Sequence, residues 1–259
     1  EQKRHISISA ATNSVEWDKH RINIIDTPGD SNFAFDTQSC LRIVDSALVL
    51  VDAVGGVEFQ TEKVWEYADE YKLPRLIFIS RMDRERADFV AAVESVRARL
   101  RKKVTIFSLP IGSQSAFAGV VDLITLKALA FDDAKRAVKT IEIPAAMADE
   151  VKKYRDILIE DIAETDDELM NKYLAGDELS PADLQGGLRK GVVAGTIVPV
   201  TCGSALNNLG ITSLLDTIVQ YFPSPVDCGS VAGNKPGSGE AETRQPDEAA
   251  PFSAFVFKT

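Results

Sequence analysis

Residues 22–29 read Ile22-Asn23-Ile24-Ile25-Asp26-Thr27-Pro28-Gly29, a short apolar run that ends in an aspartate and, three residues later, a glycine. Three further apolar runs follow along the chain, at residues 47–51, 76–79 and 197–200. All four are nearly continuous in β-branched or large apolar residues, as strands buried on both faces should be. Helical patterns lie between them, for example apolar residues spaced four, three and four apart from Phe89 to Leu100. This order predicts an α/β fold, with a mostly parallel sheet covered by helices on both faces.

The composition excludes several classes of protein. Of the 259 residues, 45% are hydrophobic and 26% are charged, a balance that excludes global disorder. The net charge of −10 argues against a protein that coats DNA, although a local basic patch could still contact RNA. No apolar run approaches the roughly 18–20 residues of a membrane span, and the three cysteines lie far apart without metal-ligand spacing. We therefore expect a cytoplasmic protein with no membrane and no DNA as partner.

Changes in sequence character predict several units. Residues 1–103 alternate strands and helices, whereas residues 104–195 carry strand-like segments and a long acidic helical segment, which indicates an inserted α+β subdomain. Residues 196–226 return to a strand and a closing amphipathic helix. Residues 227–250 are rich in Gly, Ser and Pro and predict a flexible linker. Because the chain begins with Glu1 and ends in an apolar run that resembles a strand cut short, we interpret it as a fragment with both ends missing.

The first candidate functional motif runs from Asp26 to Gly29. Strand ends face the ligand crevice in open parallel sheets. A carboxylate there can hold Mg²⁺, commonly through water, and a glycine lets its backbone N–H approach a γ-phosphate closely. A switch that responds to nucleoside triphosphates needs this pattern. The same residues also make a good turn, so the motif alone leaves both interpretations open.

Two further motifs follow apolar runs in the same way. The second is Ser80-Arg81-Met82-Asp83, in which a carboxylate can accept two hydrogen bonds from the edge of guanine and the stem of Arg81 can lie over the base. The third, residues 202–206, reads Cys-Gly-Ser-Ala-Leu and can aim a backbone N–H at the guanine carbonyl. Each motif alone is compatible with a turn, but three in this order favour a guanine-nucleotide site.

Six longer runs carry more information than the motifs: RINIIDTPG, VDAVGGVEFQTEKVW, AFAGVVDLITLKAL, AETDDELMNKYL, GTIVPVTCGSA and YFPSPVD. They resemble the GTP-binding domain of elongation factor G and its relatives among the translational GTPases. The resemblance covers nearly the whole chain, from a switch I remnant at residues 4–7 to the first strand of a following β-barrel domain at residues 251–259. It implies a P-loop-NTPase-like fold, GTP or GDP and Mg²⁺ as ligands, GTP hydrolysis and action on the ribosome.

On the phosphate side, the resemblance gives Ser7 the position of a switch I threonine that contacts Mg²⁺ and the γ-phosphate. Asp26 and Gly29 match the switch II aspartate and glycine. Asp30 departs from the family, which usually has a histidine there that positions the attacking water. A carboxylate about 5 Å from a phosphate oxygen is repelled by roughly 3 kcal/mol at an effective dielectric near 20, so we expect weakened hydrolysis unless Asp30 takes up a proton or turns away. His5 replaces a family glycine, which stiffens switch I.

On the base side, Asp83 matches the guanine-reading aspartate, and Ser204 with Ala205 match the last loop that contacts the base. The family motif usually begins Asn-Lys, whereas Ser80-Arg81 shortens the first side chain and loses its amide donor. The phosphate-loop pattern G-x-x-x-x-G-K-[ST] does not occur in the 259 residues and in the family lies upstream. We therefore expect poor phosphate affinity, and doubtful activity, for this fragment alone.

The resemblance also implies a partner, because the inserted subdomain of the family contacts the mobile stalk protein of the large ribosomal subunit. Asp156, Glu160 and Glu164 repeat every four residues on one helix face, opposite an apolar face. The alternative interpretation is a solvated helix face. Two other functions stay open for the whole chain: a paralogue that protects ribosomes, and a non-hydrolysing module that recruits a partner through the insert.

Overall fold

The computed structural model describes residue 3 and residues 6–132, 137–235 and 237–257. Arg4 and His5 lie outside the described residues, and so does the predicted stiffening of switch I. The strands are β1 (Ala11–Trp17), β2 (His20–Asp26), β3 (Ala47–Asp52), β4 (Arg75–Ser80), β5 (Thr105–Ile106), β6 (Ser108–Ile111), β7 (Gly119–Asp122), β8 (Lys127–Asp132), β9 (Ala137–Ile141), β10 (Pro199–Cys202), β11 (Val231–Asn234) and β12 (Ala241–Arg244). The helices are α1 (Ala34–Leu41), α2 (Phe59–Glu70), α3 (Phe89–Leu100), α4 (Ala148–Ala163), α5 (Asp167–Ala175), α6 (Pro181–Val193), α7 (Ile211–Tyr221) and α8 (Pro225–Cys228).

A parallel sheet with the strand order β3-β4-β10-β5 forms the centre of the fold. Strand β4 lies inside the sheet and is buried on both faces, as its continuous apolar run predicts. Leu76 and Phe78 pack against α7, whereas Ile77 and Ile79 belong to the core that α2 and α3 cover. Helices therefore lie on both faces of the sheet, and the predicted α/β fold class is confirmed.

Two of the predicted strands lack the expected burial on both faces. Within the described residues β2 pairs only with β1, in an antiparallel hairpin, and Ile24 is 42% exposed. Strand β3 lies at an edge of the central sheet, where Leu48 and Leu50 are 40% and 60% exposed while Val49 and Val51 are buried. Both predictions of two-sided burial are wrong because an apolar run shows residue types and not the neighbours that cover them.

The inserted part consists of an antiparallel sheet, in the order β6-β7-β8-β9, and the helices α4, α5 and α6. Strand β5 falls within the predicted insert but pairs in parallel with β10 of the central sheet. Strand β10 itself begins at Pro199, two residues later than the predicted start at Ile197, and it is the strand with which β5 pairs. The insert is therefore joined to the central sheet directly through β5.

Asp161 connects α4 of the insert to the chain around β5. Its buried carboxylate accepts hydrogen bonds from Thr105 Oγ1 at 2.5 Å and from Lys103 Nζ at 2.7 Å. Lys103 also contacts Glu164 at 2.8 Å. Burial acts to lower the pKa of Lys103, but its hydrogen bonds to the two carboxylates outweigh that effect and raise it. These contacts fix the helix against the sheet.

Replacement of Asp161 by alanine is expected to lower the free energy of unfolding by about 1–3 kcal/mol, because Thr105 and Lys103 lose a buried acceptor. Urea-induced unfolding measures this loss. The matched control is Asp156→Ala on the exposed face of the same helix, where we expect a change within about 0.5 kcal/mol. Equal losses in the two variants would show that the buried network does not stabilise the fold.

The predicted flexible linker, residues 227–250, contains regular structure. Strands β11 and β12 form an antiparallel hairpin whose side chains are nearly all exposed. Its backbone hydrogen bonds need no apolar side chains, so the composition gives no sign of it. Residues 251–259 are predicted to begin a barrel strand, and the described part of this segment, residues 251–257, forms no strand. The centroid of the Phe255 ring lies 5.0 Å from the guanidinium carbon of Arg42. None of the helices in the described ranges is long and apolar enough to cross a membrane.

Candidate functional site

The second and third motifs meet at the carboxyl edge of the central sheet. Ile79 and Cys202 are register partners in β4 and β10, so the loops that follow them leave the sheet side by side. Gly203 N donates to the Ile79 carbonyl at 3.0 Å, and Met82 N donates to the Gly203 carbonyl at 3.2 Å. These backbone hydrogen bonds hold the two loops in a fixed relation.

Asp83 presents an unused carboxylate at this edge. The residue is half-buried, and within the described part of the chain its side chain has neither a hydrogen bond nor an ion pair. The loop around it is closed by the backbone instead, since Arg84 N donates to the Arg81 carbonyl at 3.0 Å. A carboxylate with both oxygens available can accept two parallel hydrogen bonds, which the edge of guanine supplies.

The two predicted residues of the third motif differ in what they can offer a ligand. Ser204 is buried, its N–H donates to the Leu209 carbonyl at 2.9 Å, and its hydroxyl accepts from Asn207 N at 3.3 Å. Ala205 is exposed, and its N–H has no acceptor among the residues that the structure describes. Ser204 therefore shapes the loop, and Ala205 carries the donor that a base carbonyl could use.

Two side chains at the ends of β3 and β4 contact each other across the edge. Asp52 Oδ2 accepts from Arg81 Nη1 at 2.7 Å, while Asp52 Oδ1 accepts from the N–H groups of Val54 and Gly55 at 2.7 and 3.2 Å. Burial acts to raise the pKa of Asp52, but these hydrogen bonds outweigh it and lower the pKa. Asp52 lies in one of the runs that carry the family resemblance, but none of the three candidate motifs includes it. A carboxylate at the end of a third parallel strand is the signal that could have identified it.

Ser80 links the ends of the same two strands. Its hydroxyl donates to the Val51 carbonyl of β3 at 3.3 Å. The side chain therefore joins the two strands where the family has an amide donor.

The residues predicted for Mg²⁺ lie at one end of the β1–β2 hairpin. Asp26 is the register partner of Ala11, so the chain just before β1, which includes Ser7, leaves the hairpin at the same end. Both Ser7 and Asp26 are exposed. Ala10 N donates to Asp36 Oδ2 in α1 at 3.2 Å, which places this end of the hairpin against that helix.

This end of the hairpin fits a magnesium ion held largely by phosphate and water. Among the described residues, no group of three or more His, Cys, Asp or Glu side chains could hold a metal. A hydroxyl and one carboxylate are hard oxygen ligands of the kind that Mg²⁺ accepts beside phosphate and water. A Cβ added at Gly29 would meet no atom within 4 Å, so packing does not require a glycine there. The open space suits close approach of a phosphate to its N–H.

Asp30 has a defined structural role. Its carboxylate caps the short 3₁₀ turn Ser31–Phe33, and its Oδ1 accepts from Asn32 N at 2.9 Å and Asn32 Nδ2 at 2.7 Å. This contact holds the carboxylate on its own turn. Aspartate is a preferred residue at such a cap.

The structure brings the base-side residues together more completely than the phosphate-side residues. Asp83, Arg81 and Ala205 lie on adjoining loops of one sheet edge. Asp26 lies on the hairpin and Ser7 in the chain just before it, and the hairpin shares no backbone pairing with the central sheet within the described residues.

Comparison with known proteins gives a family match and a similar fold. Residues 1–224 match the family model described as the elongation factor Tu GTP binding domain. Among solved structures, the fold is similar to that of a protein from Thermus thermophilus, with a TM-score of 0.82 and 26% sequence identity. The match covers 94% of this chain and 38% of the Thermus protein, so this chain spans well under half the length of that relative.

Proposed function

Because the chain belongs to the elongation factor Tu GTP-binding domain family of translational GTPases, we propose that it is the GTP-binding and GTP-hydrolysing part of a factor of the elongation factor G type that acts on the ribosome. The observation that carries this proposal is the unused, half-buried carboxylate of Asp83, with the available N–H of Ala205 on the adjoining loop. A donor and a double acceptor at one sheet edge complement guanine, whereas adenine would oppose its own amino donor to the N–H.

On the base, Asp83 accepts the two N–H groups of the guanine edge and the N–H of Ala205 donates to the guanine carbonyl. The aliphatic stem of Arg81 lies along the base plane. On the phosphates, Ser7 and Asp26 would hold Mg²⁺, and Gly29 would donate its N–H to the γ-phosphate. Bound Mg²⁺ neutralises charge that develops on the phosphate oxygens.

Hydrolysis is expected to be slow because Asp30 replaces the water-positioning group. Its contact with Asn32 also favours a second candidate function, a nucleotide-binding module that does not hydrolyse GTP. Turnover by the intact protein with purified ribosomes separates the two candidates. We expect ribosome-stimulated release of phosphate from GTP and none from ATP. Tight GTP binding without any turnover would support the non-hydrolysing module.

We also propose that the acidic face of α4 guides docking to the ribosomal stalk protein. Asp156 and Glu160 are exposed, while Val151, Leu158 and Ile162 are buried on the opposite face. Surface charges steer association over about one Debye length, roughly 8 Å at physiological salt. Glu164 lies on the acidic face but pairs with Lys103, so its replacement would also disturb the anchor at Asp161.

Reversal of Asp156 and Glu160 to lysine should slow association with stalk-bearing ribosomes about tenfold at low salt, and far less at high salt. Stopped-flow association at two ionic strengths measures the effect. The control reverses Glu70 and Glu248, two exposed acidic residues outside the insert, and so makes the same change in net charge. Equal association rates for the two double variants would show that the acidic face is a solvated helix face and does not guide docking.

A further inference from the structure

From the contacts at the ends of β3 and β4, we infer that Asp52 is a positioning residue for the nucleotide base, which acts by holding the side chain of Arg81. This inference rests on the proposed function, because it concerns how the same site binds a purine. It adds a residue that contacts no ligand itself.

The carboxylate of Asp52 is fixed before any ligand arrives. One oxygen accepts the N–H groups of Val54 and Gly55, which leaves the second oxygen for Arg81. The turn is tied further by Gly56 N, which donates to the Asp52 carbonyl at 2.8 Å. A carboxylate held at both oxygens is a rigid anchor for a guanidinium.

The positions of Asp52 and Arg81 are also fixed relative to each other. Asp52 is the register partner of Ser80, the residue before Arg81, and Ala53 N donates to the Ser80 carbonyl at 3.0 Å. The backbone of Arg81 has a φ of +61°, in the left-handed region that non-glycine residues rarely adopt. Such conformations occur often at ligand sites, where surrounding contacts hold them.

Arg81 needs this restraint because 64% of its side chain is exposed. A free arginine side chain has many rotamers, and ordering it against a ligand reduces affinity. The contact with Asp52 orders its far end in advance, at the same sheet edge from which the loop of Asp83 leaves. Asp52 also neutralises the guanidinium charge, which suits a side chain that supports a base rather than a phosphate.

The resulting specificity pattern differs from that of Asp83. Support of the base plane does not depend on which purine is bound. Asp52→Asn should therefore weaken the binding of GDP to the protein with Asp83, and the binding of xanthosine diphosphate to the Asp83→Asn variant, by the same factor. We expect a loss of about threefold to tenfold. Asp83→Asn should instead change the preferred base from guanine to xanthine. Asparagine at position 52 keeps an oxygen for Val54 and Gly55, but an amide nitrogen replaces the oxygen that accepts from Arg81, so the variant loses that hydrogen bond together with the charge.

The test is the dissociation rate of fluorescent GDP from the intact protein, in a double-variant cycle of Asp52→Asn and Arg81→Met. Methionine keeps an apolar stem but cannot bind a carboxylate. If Asp52 acts through Arg81, Asp52→Asn speeds dissociation in the wild type and has no further effect in the Arg81→Met background. Asp69→Asn removes another aspartate–arginine pair, with Arg75, away from this edge and should leave the rate unchanged.

Three results would overturn the inference. The first is a change of less than twofold in Asp52→Asn while the wild type binds GDP, which leaves the proposed function intact. The second is an equal effect of Asp52→Asn in both backgrounds, which would mean that it acts through the turn at Val54. The third is a wild-type protein that binds no guanine nucleotide, and this result would contradict the proposed function as well. If Asp52→Asn is unstable, Arg81→Met must alone speed dissociation.

Discussion

Replacement of Asp83 by asparagine is expected to weaken GTP binding by about tenfold to a hundredfold and to strengthen binding of xanthosine triphosphate. The carboxylate accepts two hydrogen bonds from guanine, and a charged hydrogen bond contributes about 1.5–3 kcal/mol. The asparagine amide instead presents one acceptor and one donor, and the donor matches the additional oxygen of xanthine. Competition between the two triphosphates for the intact protein measures the exchange.

The matched control is Asp88→Asn, five residues further along the same loop. Asp88 caps α3 through Ala91 N, and asparagine serves equally well at a helix cap. We expect this variant to keep the preference of the wild type. A wild-type protein that binds ATP as tightly as GTP would contradict both the role of Asp83 and the proposed function.

The base side of the site could be predicted because its signals are local. An apolar run followed by a carboxylate predicts both strand β4 and the edge at which Asp83 lies. The parallel pairing of β4 with β10 then brings the third motif beside it. Neither step needs information about distant residues, apart from the rule that parallel strands end at one edge.

The remaining parts depend on contacts that residue types do not reveal. The apolar residues of β2 match those of β4, yet β2 lies in a hairpin and β4 inside a sheet. The pairing of Asp52 with Arg81 joins residues 29 positions apart, and neither belongs to a metal or catalytic pattern. The cap at Asp30 is local and could have been predicted, since an aspartate before Ser31 and Asn32 is a typical start of a helical turn.

Replacement of Asp30 by histidine is expected to raise ribosome-stimulated GTP hydrolysis by about tenfold or more. The change removes a negative charge near the γ-phosphate and supplies an imidazole that can hold the attacking water. It also removes the acceptor for Asn32 N, at a cost of about 1 kcal/mol in local stability. Single-turnover hydrolysis on saturating ribosomes separates the chemical step from binding.

Asp30→Asn separates the two causes of this increase. Asparagine keeps an acceptor for Asn32 and removes the charge, so any gain in this variant measures repulsion alone. A further gain in Asp30→His measures water positioning, and it should require the neutral imidazole. The rate of the histidine variant should therefore rise with pH through about 6.5, whereas the asparagine variant should show no such step. If both variants hydrolyse GTP at the wild-type rate or more slowly, the side chain at position 30 does not face the nucleophile, and the cap on Asn32 is its whole role.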